Sequence, residues 1–203
     1  DGSILNYGDL SVLSFHATKV FNTFEGGAII CPNEKTKTRI DQLKNFGHVD
    51  ETHVVAPGIN GKMSEFNAAL GLMQLQYIDE VIDMRREIDT AYRDRLRHVK
   101  GVYCLSNSGE STYNYAYFPI LIDESFPISR DELYHLMKGR GINPRRYFYP
   151  LISEFPMYRG LPSARRENLP IASKAANQVL CLPIYPDLPM SALEEICSII
   201  SSQ

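Results

Sequence analysis

The chain has 203 residues, of which 44% are hydrophobic and 22% are charged, and its formal net charge is −3. This composition is typical of a globular protein with enough chain to bury a core in one or two domains. It excludes the basic excess that marks most nucleic-acid binders, so we expect no nucleic-acid partner.

Two short strands are predicted near the start of the chain. Leu10 to Phe15 alternates apolar and polar residues in part and is rich in strand formers. A polar loop from His16 to Phe24 follows, and Gly26-Gly27 then introduces a second strand, Ala28 to Cys31. Because the chain enters a strand so soon after Asp1, we expect a fragment that lacks preceding strands.

A helix and a long periodic segment come next. Asn33 is placed to cap a helix that has an apolar face and ends at Gly47. A loop with glycine and proline runs from Val49 to Lys62. From Ser64 to Val99, apolar residues recur at helical spacing, which predicts one long helix that bridges two domains and stops before Gly101.

Strands and helices alternate in the rest of the chain, which indicates a small α/β domain. Two of the helices start with a Ser-x-x-Glu capping box. The predicted elements are a strand at Tyr115–Ile122, a helix from the Ser129/Glu132 box to about Gly141, a strand at Arg145–Tyr149, a helix at Pro170–Leu182, and a helix at Ser191–Ser201 opened by Ser191 and Glu194.

The cysteines and histidines give no sign of a metal site. The four cysteines are far apart in apolar stretches, and they form no CxxC pair. This pattern predicts buried free thiols in a reducing compartment, and hence a cytoplasmic protein. The five histidines are scattered without an HExxH pattern, so we expect no metal. No apolar run approaches the roughly 18 residues of a membrane helix, so we expect no membrane span.

The segment with the most chemical information surrounds Lys19. It runs from Ser14 through His16 to Lys19, and Gly26-Gly27 follow. Pyridoxal 5'-phosphate requires an amine for a Schiff base and donors for its phosphate, which Lys19 and Ser14 could supply. Spacing alone does not decide the matter, since an isolated loop lysine is usually a solvated surface residue. We interpret His16 as packing or loop hydrogen bonding rather than direct catalysis.

Several separated blocks of sequence together carry a family resemblance. In chain order they are NYGDLSVLSF, SFHATKVFNTFEGGAIIC, NFG, GINGKMSEFNAALGLMQL, RRYFYPL and CLPIYPDLP. They resemble, in the same order, the motifs of the DegT/DnrJ/EryC1/StrS family of sugar aminotransferases. The resemblance implies an α/β fold, the C-terminal half of a fold type I enzyme dependent on pyridoxal phosphate. Residues 1–75 would then form the C-terminal portion of the large cofactor-binding domain, and residues 76–203 would form the bridging helix and the small domain.

The resemblance implies roles for three residues at the cofactor. Lys19 matches the lysine that binds the cofactor covalently and moves the proton during transamination, where relatives that dehydrate sugars have histidine. Ser14 matches a hydroxyl that binds the cofactor phosphate. Asn60 matches an asparagine that reaches the phosphate of the neighbouring subunit, which implies a homodimer with shared active sites. Without that family context, Asn60 beside Gly61 would be interpreted as a turn residue.

Five further residues are candidates for substrate binding. Lys62 stands where many relatives carry arginine, and its ammonium could face a phosphate as a point charge. Arg145, Arg146, Tyr147 and Tyr149 form a basic and aromatic cluster that suits a nucleotide diphosphate and its flat base. An edge strand with alternating exposed side chains would give the same pattern, and both interpretations stay open.

The implied reaction moves an amino group from glutamate to a nucleotide-linked keto-sugar, most closely dTDP-4-keto-6-deoxyglucose. Its product would serve deoxyamino-sugar biosynthesis for a surface polysaccharide such as O-antigen. Amination at carbon 3 stays open, and the carboxylate that holds the pyridine nitrogen would come from the N-terminal half. Two other hypotheses are a non-catalytic regulatory or assembly member of the family, and an inactive fragment that associates through an exposed apolar face.

Overall fold

The structure, a computed structural model, describes residues 2–106 and 112–203. The chain divides into two compact units, Asp1–Asp79 and Glu80–Gln203. Within the described ranges, no helix is both long and apolar enough to cross a membrane. Short 3-10 helices lie at Ile4–Asn6, Ile152–Glu154, Pro162–Ala164 and Arg166–Asn168.

The first unit contains a two-stranded antiparallel sheet. Strand β1 (Ser11–Ser14) pairs with β2 (Gly27–Ile30), and Ser14 lies opposite Gly27. A Cβ atom at Gly27 would lie 2.6 Å from the carbonyl oxygen of Leu13, so the close approach of the two strands requires glycine there. Both strands were predicted from the sequence, although β1 is shorter than the predicted Leu10–Phe15 and β2 starts and ends one residue earlier than the predicted Ala28–Cys31.

Helix α1 (Glu34–Lys44) begins where the sequence predicted it. The side chain of Asn33 accepts a hydrogen bond from the Thr36 amide at 2.9 Å and so satisfies one of the first amides of the helix. Past the helix end, Gly47 has a φ of +83°. A Cβ atom there would lie 1.7 Å from the carbonyl oxygen of Ala56, so the turn requires glycine.

Two helices, α2 (Glu65–Gln74) and α3 (Ile78–Leu96), stand where the sequence predicted a single long one. At residues 75–77 the amides of Gln76 and Tyr77 donate to carbonyls three residues earlier, at 3.2 and 3.1 Å. The chain therefore makes one tighter turn between the helices. The prediction of one helix was wrong because such a turn needs no proline or glycine and barely disturbs the apolar spacing.

The second unit is a three-stranded antiparallel sheet packed against helices. The strand order is β3 (Val102–Cys104), β4 (Phe118–Ile122) and β5 (Val179–Leu182). Helix α4 (Arg130–Gly139) packs against β5 and the last helix, α6 (Met190–Ser201). Helix α5 (Pro170–Gln178) packs against β4. The largest fully buried side chains include Tyr92, Leu96, Phe118, Ile120, Leu133, Met137, Leu180 and Leu193.

Three predictions in this unit had wrong boundaries. The helix expected to reach Leu182 ends at Gln178, and the four apolar residues after it form β5. A short apolar run suits a buried strand and a buried helix equally, so periodicity did not separate them. The strand expected from Tyr115 starts only at Phe118, because Tyr115 has a φ of +52°. The strand expected at residues 145–149 is reduced to one bridge between Arg145 and Cys181.

One of the two predicted capping boxes exists in the structure. The amide of Ser129 donates to the Glu132 carboxylate at 2.7 Å, and the amide of Glu132 donates to the Ser129 hydroxyl at 3.2 Å. At the other site, helix α6 starts after Pro189 without a side-chain cap, so the box at Ser191 was wrongly predicted.

The two serines provide a direct test of this difference. We expect Ser129→Ala to lower the free energy of unfolding by about 1 kcal/mol, because the Glu132 amide loses its acceptor and the Glu132 carboxylate loses the hydroxyl that donates to it. Ser191→Ala is the matched control and should leave stability unchanged. Urea denaturation followed by circular dichroism measures both, and an equal loss in the two variants would contradict the capping assignment.

Candidate functional site

Lys19 lies in the loop that follows β1. Its amide donates to the carbonyl of His16 at 2.9 Å, and its carbonyl accepts a hydrogen bond from the Asn22 side chain at 3.2 Å. The next residue, Val20, is buried with 8% of its surface exposed. The Lys19 ammonium is exposed and makes no hydrogen bond or ion pair with any residue that the structure describes. An anchored backbone thus presents an unpartnered amine.

The loop is closed at its far end by Thr23, which is buried with 1% of its surface exposed. Its amide donates to the Phe15 carbonyl at 2.9 Å, and its own carbonyl accepts a hydrogen bond from the Asn67 side chain of α2. A Cβ atom at Gly26 would lie 2.5 Å from the Thr23 hydroxyl, and one at Gly71 would lie 2.9 Å from its methyl. Sequence analysis missed this anchor, although the two glycines that fit around it were a usable signal.

Ser14, the last residue of β1, is exposed at the start of the same loop. Its hydroxyl oxygen accepts a hydrogen bond from the His16 amide at 3.4 Å. The hydroxyl proton has no acceptor among the described residues and remains available to donate. The structure therefore brings a hydroxyl donor and an amine, Ser14 and Lys19, onto one short loop.

Asn60 lies in a segment that crosses the end of α1 and is hydrogen-bonded to it. The amides of Ile59 and Gly61 donate to the last carbonyls of that helix, at 2.9 and 2.8 Å. Asn60 itself forms an antiparallel backbone bridge with Asn45, and its side chain is exposed. The bonds on both sides of Asn60 fix its position, while its carboxamide stays open to a ligand.

Lys62 has partners of its own. Its ammonium donates to the side-chain oxygen of Asn45 at 2.9 Å and lies 4.6 Å from the centre of the Phe46 ring. Lys62 and Asn60 line a cavity of about 570 Å³, together with the backbone at Gly26-Gly27. Lys19 does not line it. The structure thus groups Asn60 with Lys62 and groups Ser14 with Lys19.

The residues predicted to bind substrate in the second unit differ in what they contact. The backbone of Arg145 exchanges two hydrogen bonds with Cys181, at 2.9 and 2.7 Å, and its guanidinium is exposed without a partner in the described chain. The ring of Tyr147 meets that of Tyr117 edge to face at 5.7 Å. Arg145 is therefore the member of this segment whose charge is open to an anion.

Arg146 and Tyr149 instead belong to a cluster of side chains around helix α4. Arg146 donates to Asp131 at 2.9 Å, and its guanidinium lies 4.4 Å from the centre of the Tyr134 ring. The ring of Tyr149 lies 4.7 Å from the guanidinium of Arg130. These contacts hold the segment in place, so they support an internal structural role for both residues.

Arg130 is the buried centre of this cluster, with 4% of its surface exposed. One guanidinium nitrogen donates to the carbonyls of Ala176 and Val179, at 3.0 and 2.8 Å, and so joins α4 to the end of α5 and the start of β5. Its Nε lies 2.8 Å from an oxygen of Asp131, an electrostatic contact without hydrogen-bond alignment. Burial lowers the pKa of Arg130 from its usual value.

Sequence analysis missed Arg130, and the signal it offered was positional. The residue stands directly after the N-cap Ser129, where the positive end of the helix dipole disfavours a cation. A cation in that place indicates compensating partners from elsewhere in the fold. The two carbonyls, the Tyr149 ring and the Asp131 carboxylate are those partners.

Cysteine and metal chemistry find little support in the described residues. All four cysteines are free, as predicted, but only Cys181 and Cys197 are buried, while Cys31 and Cys104 are half-buried. Burial raises the pKa of the Cys181 and Cys197 thiols to about 11, which keeps them protonated near neutral pH. Within residues 2–106 and 112–203, no three acidic, histidine or cysteine side chains cluster to hold a metal.

The role of Arg130 can be tested by its effect on stability. We expect Arg130→Met to lower the free energy of unfolding by about 2 kcal/mol, because two buried carbonyls lose their donor and Asp131 loses one of its two arginine neighbours. Arg166→Met is the matched control, since Arg166 also pairs with a carboxylate but is 76% exposed there. It should leave the denaturation midpoint almost unchanged. Equal midpoints for the two variants in urea would show that Arg130 is not a structural centre.

Comparison with known proteins gives a consistent result along the chain. Residues 2–201 match the DegT/DnrJ/EryC1/StrS aminotransferase family. A dTDP-4-amino-4,6-dideoxy-D-glucose transaminase from Shigella dysenteriae is 48% identical over 200 residues, which cover 98% of this chain and 54% of that protein. The Escherichia coli protein of the same name is 55% identical over 177 residues, 87% of this chain and 48% of that protein.

A solved structure supports the same likeness at the level of fold. The crystal structure of DesI in the presence of its TDP-sugar product is 36% identical, with a TM-score of 0.87. The superposition covers 96% of this chain and 49% of that one. The chain thus spans about half the length of the proteins it resembles.

Proposed function

Because the chain belongs to the DegT/DnrJ/EryC1/StrS aminotransferase family, we propose that it is the C-terminal half of an enzyme that transfers an amino group to a nucleotide-linked keto-sugar. The family membership confirms the resemblance seen in the sequence, and it confirms the α/β fold of a sugar aminotransferase. The observation that carries the proposal is Lys19, an unpartnered amine on a loop that is anchored on both sides.

The residues on this loop fit pyridoxal 5'-phosphate. The cofactor needs a primary amine for its aldehyde and hydrogen-bond donors for its phosphate. Lys19 has a free amine, and Ser14 has a hydroxyl proton without an acceptor among the described residues. When bound, the cofactor supplies a conjugated ring that accepts electrons from the substrate carbon.

Each residue has a defined task under this proposal. Lys19 would hold the cofactor aldehyde through its Nζ, and the same Nζ, once the incoming amine has displaced it, would carry the proton between carbon atoms. Ser14 donates its hydroxyl proton to the phosphate. Thr23 holds the far end of the loop, so that the amine and the hydroxyl keep their relative positions.

We propose dTDP-4-keto-6-deoxyglucose as the acceptor and glutamate as the amino donor. The names of the two relatives at 48% and 55% identity support amination at carbon 4 of that sugar. In the second unit, the exposed guanidinium of Arg145 suits a diphosphate, which it can bind through two parallel hydrogen bonds. The contacts of Arg146 with Asp131 and of Tyr149 with Arg130 favour a structural role for both side chains over direct substrate contact. The product belongs to deoxyamino-sugar biosynthesis for a surface polysaccharide.

We propose a homodimer, because the Asn60 side chain is positioned to bind a ligand outside its own loop. Its carboxamide is exposed and its backbone is fixed at the end of α1. We propose that Asn60 donates to the cofactor phosphate of the partner subunit. Lys62, on the same segment, would add a point charge beside it, although its ammonium already bonds to Asn45.

The cofactor assignment predicts one labelled lysine in the full-length protein. Borohydride reduction followed by peptide mass spectrometry should find a phosphopyridoxyl group on Lys19, because reduction makes the covalent attachment permanent. Lys19→Ala should abolish both the label and transamination. Lys35→Ala, at an exposed lysine of α1, is the control and should change neither. A label on another lysine would overturn the assignment.

The shared active site predicts complementation between two inactive variants. Lys19→Ala and Asn60→Ala should each lose most activity as pure dimers. Mixed after unfolding and refolding together, they should recover about a quarter of the wild-type activity, because half of the dimers carry one intact site. Activity that stays at the level of the pure variants would show that Lys19 and Asn60 serve the same subunit's site.

A further inference from the structure

The ring of His16 has a defined proton arrangement. Its Nδ1 accepts a hydrogen bond from the Thr18 amide at 3.2 Å and lies 2.9 Å from the Thr18 hydroxyl. A backbone amide can only donate, so Nδ1 is the acceptor in this contact and carries no proton there. The ring proton is then on Nε2, which lies 3.6 Å from the carboxylate of Glu25.

His16 also holds the next amide along the chain. The Lys19 amide donates to the His16 carbonyl at 2.9 Å. The amides of Thr18 and Lys19 are therefore both bonded to atoms of one residue, to its ring and to its main chain. Nε2 of the same ring lies 3.6 Å from Glu25, which is longer than a hydrogen bond. The turn that precedes the Lys19 side chain is therefore held by two hydrogen bonds to His16.

We propose that His16 is a positioning residue for Lys19, acting through the Thr18 amide. The unprotonated Nδ1 closes the turn and sets the direction in which the Lys19 side chain leaves the loop. The ring bonds to the loop and not to the Lys19 amine, so its contribution is geometric. This inference rests on the proposed function of Lys19.

Two substitutions in the full-length protein separate this role from simple packing. Asparagine at position 16 can accept the same amide through its side-chain oxygen, in the manner of an Asx turn. Phenylalanine keeps a ring of similar shape but has no acceptor. We expect His16→Phe to slow attachment of pyridoxal phosphate to Lys19 by about tenfold, which is the effect of one lost hydrogen bond. His16→Asn should stay within about twofold of the wild type.

A second readout does not depend on the cofactor. In cofactor-free protein labelled with 15N histidine, proton–nitrogen correlation spectra should show Nε2 of His16 protonated and Nδ1 bare. Hydrogen exchange at the Thr18 amide should accelerate in His16→Phe and remain slow in His16→Asn. His53→Phe is the matched control, because His53 bonds to Asp50 in another loop, and it should change neither rate.

The possible outcomes separate the positioning role of His16 from the cofactor assignment of Lys19. A protonated Nδ1, or an Asn variant as slow as the Phe variant, overturns the positioning role even if Lys19 carries the cofactor. If wild-type Lys19 takes no cofactor, the proposed function fails and this role falls with it, while the exchange data still report whether His16 closes the turn.

Discussion

The antiparallel pairing of β1 with β2 is the constraint on which the candidate site depends. Ser14 pairs with Gly27, so the chain must return within the residues between them. Their main-chain hydrogen bonds, together with the buried Thr23, fix a loop that carries a hydroxyl at one end and Lys19 in its middle. Little apolar burial supports this loop, since Val20, with 8% of its surface exposed, is its only buried apolar side chain. The site is thus positioned by backbone geometry.

The second unit is organised differently, around a large apolar core. Its sheet and helices enclose a dense apolar core, and its candidate binding segment at residues 145–149 is held by one backbone bridge and by side-chain contacts. Arg130 acts there as a buried connector, because one guanidinium satisfies carbonyls of two elements and supports the Tyr149 ring. Of the two arginines in residues 145–149, only Arg145 keeps an open charge. A cluster that looked uniform in the sequence therefore separates into a candidate ligand and its supports.

Local signals were predicted well, and features that depend on distant partners were not. The cap at Asn33, the box at Ser129 and the loop position of Lys19 each follow from a few neighbouring residues. The break between α2 and α3 was not predicted, and neither was strand β5, because a 3-10 turn and a short apolar run leave no distinct sequence pattern. The position of Arg130 after an N-cap indicates that it has partners, but the sequence does not identify them, because they lie 46 and 49 residues away.

The uneven distribution of the core has a thermodynamic consequence. Nearly all fully buried apolar side chains belong to the second unit, while large side chains of the first, such as Val12 and Phe66, are more than 70% exposed. A unit with little core of its own gains much of its order from what binds to it. Ligand binding to the Lys19 loop and folding of that loop are then linked equilibria. The melting temperature of this unit would then rise with the concentration of whatever ligand binds to the loop.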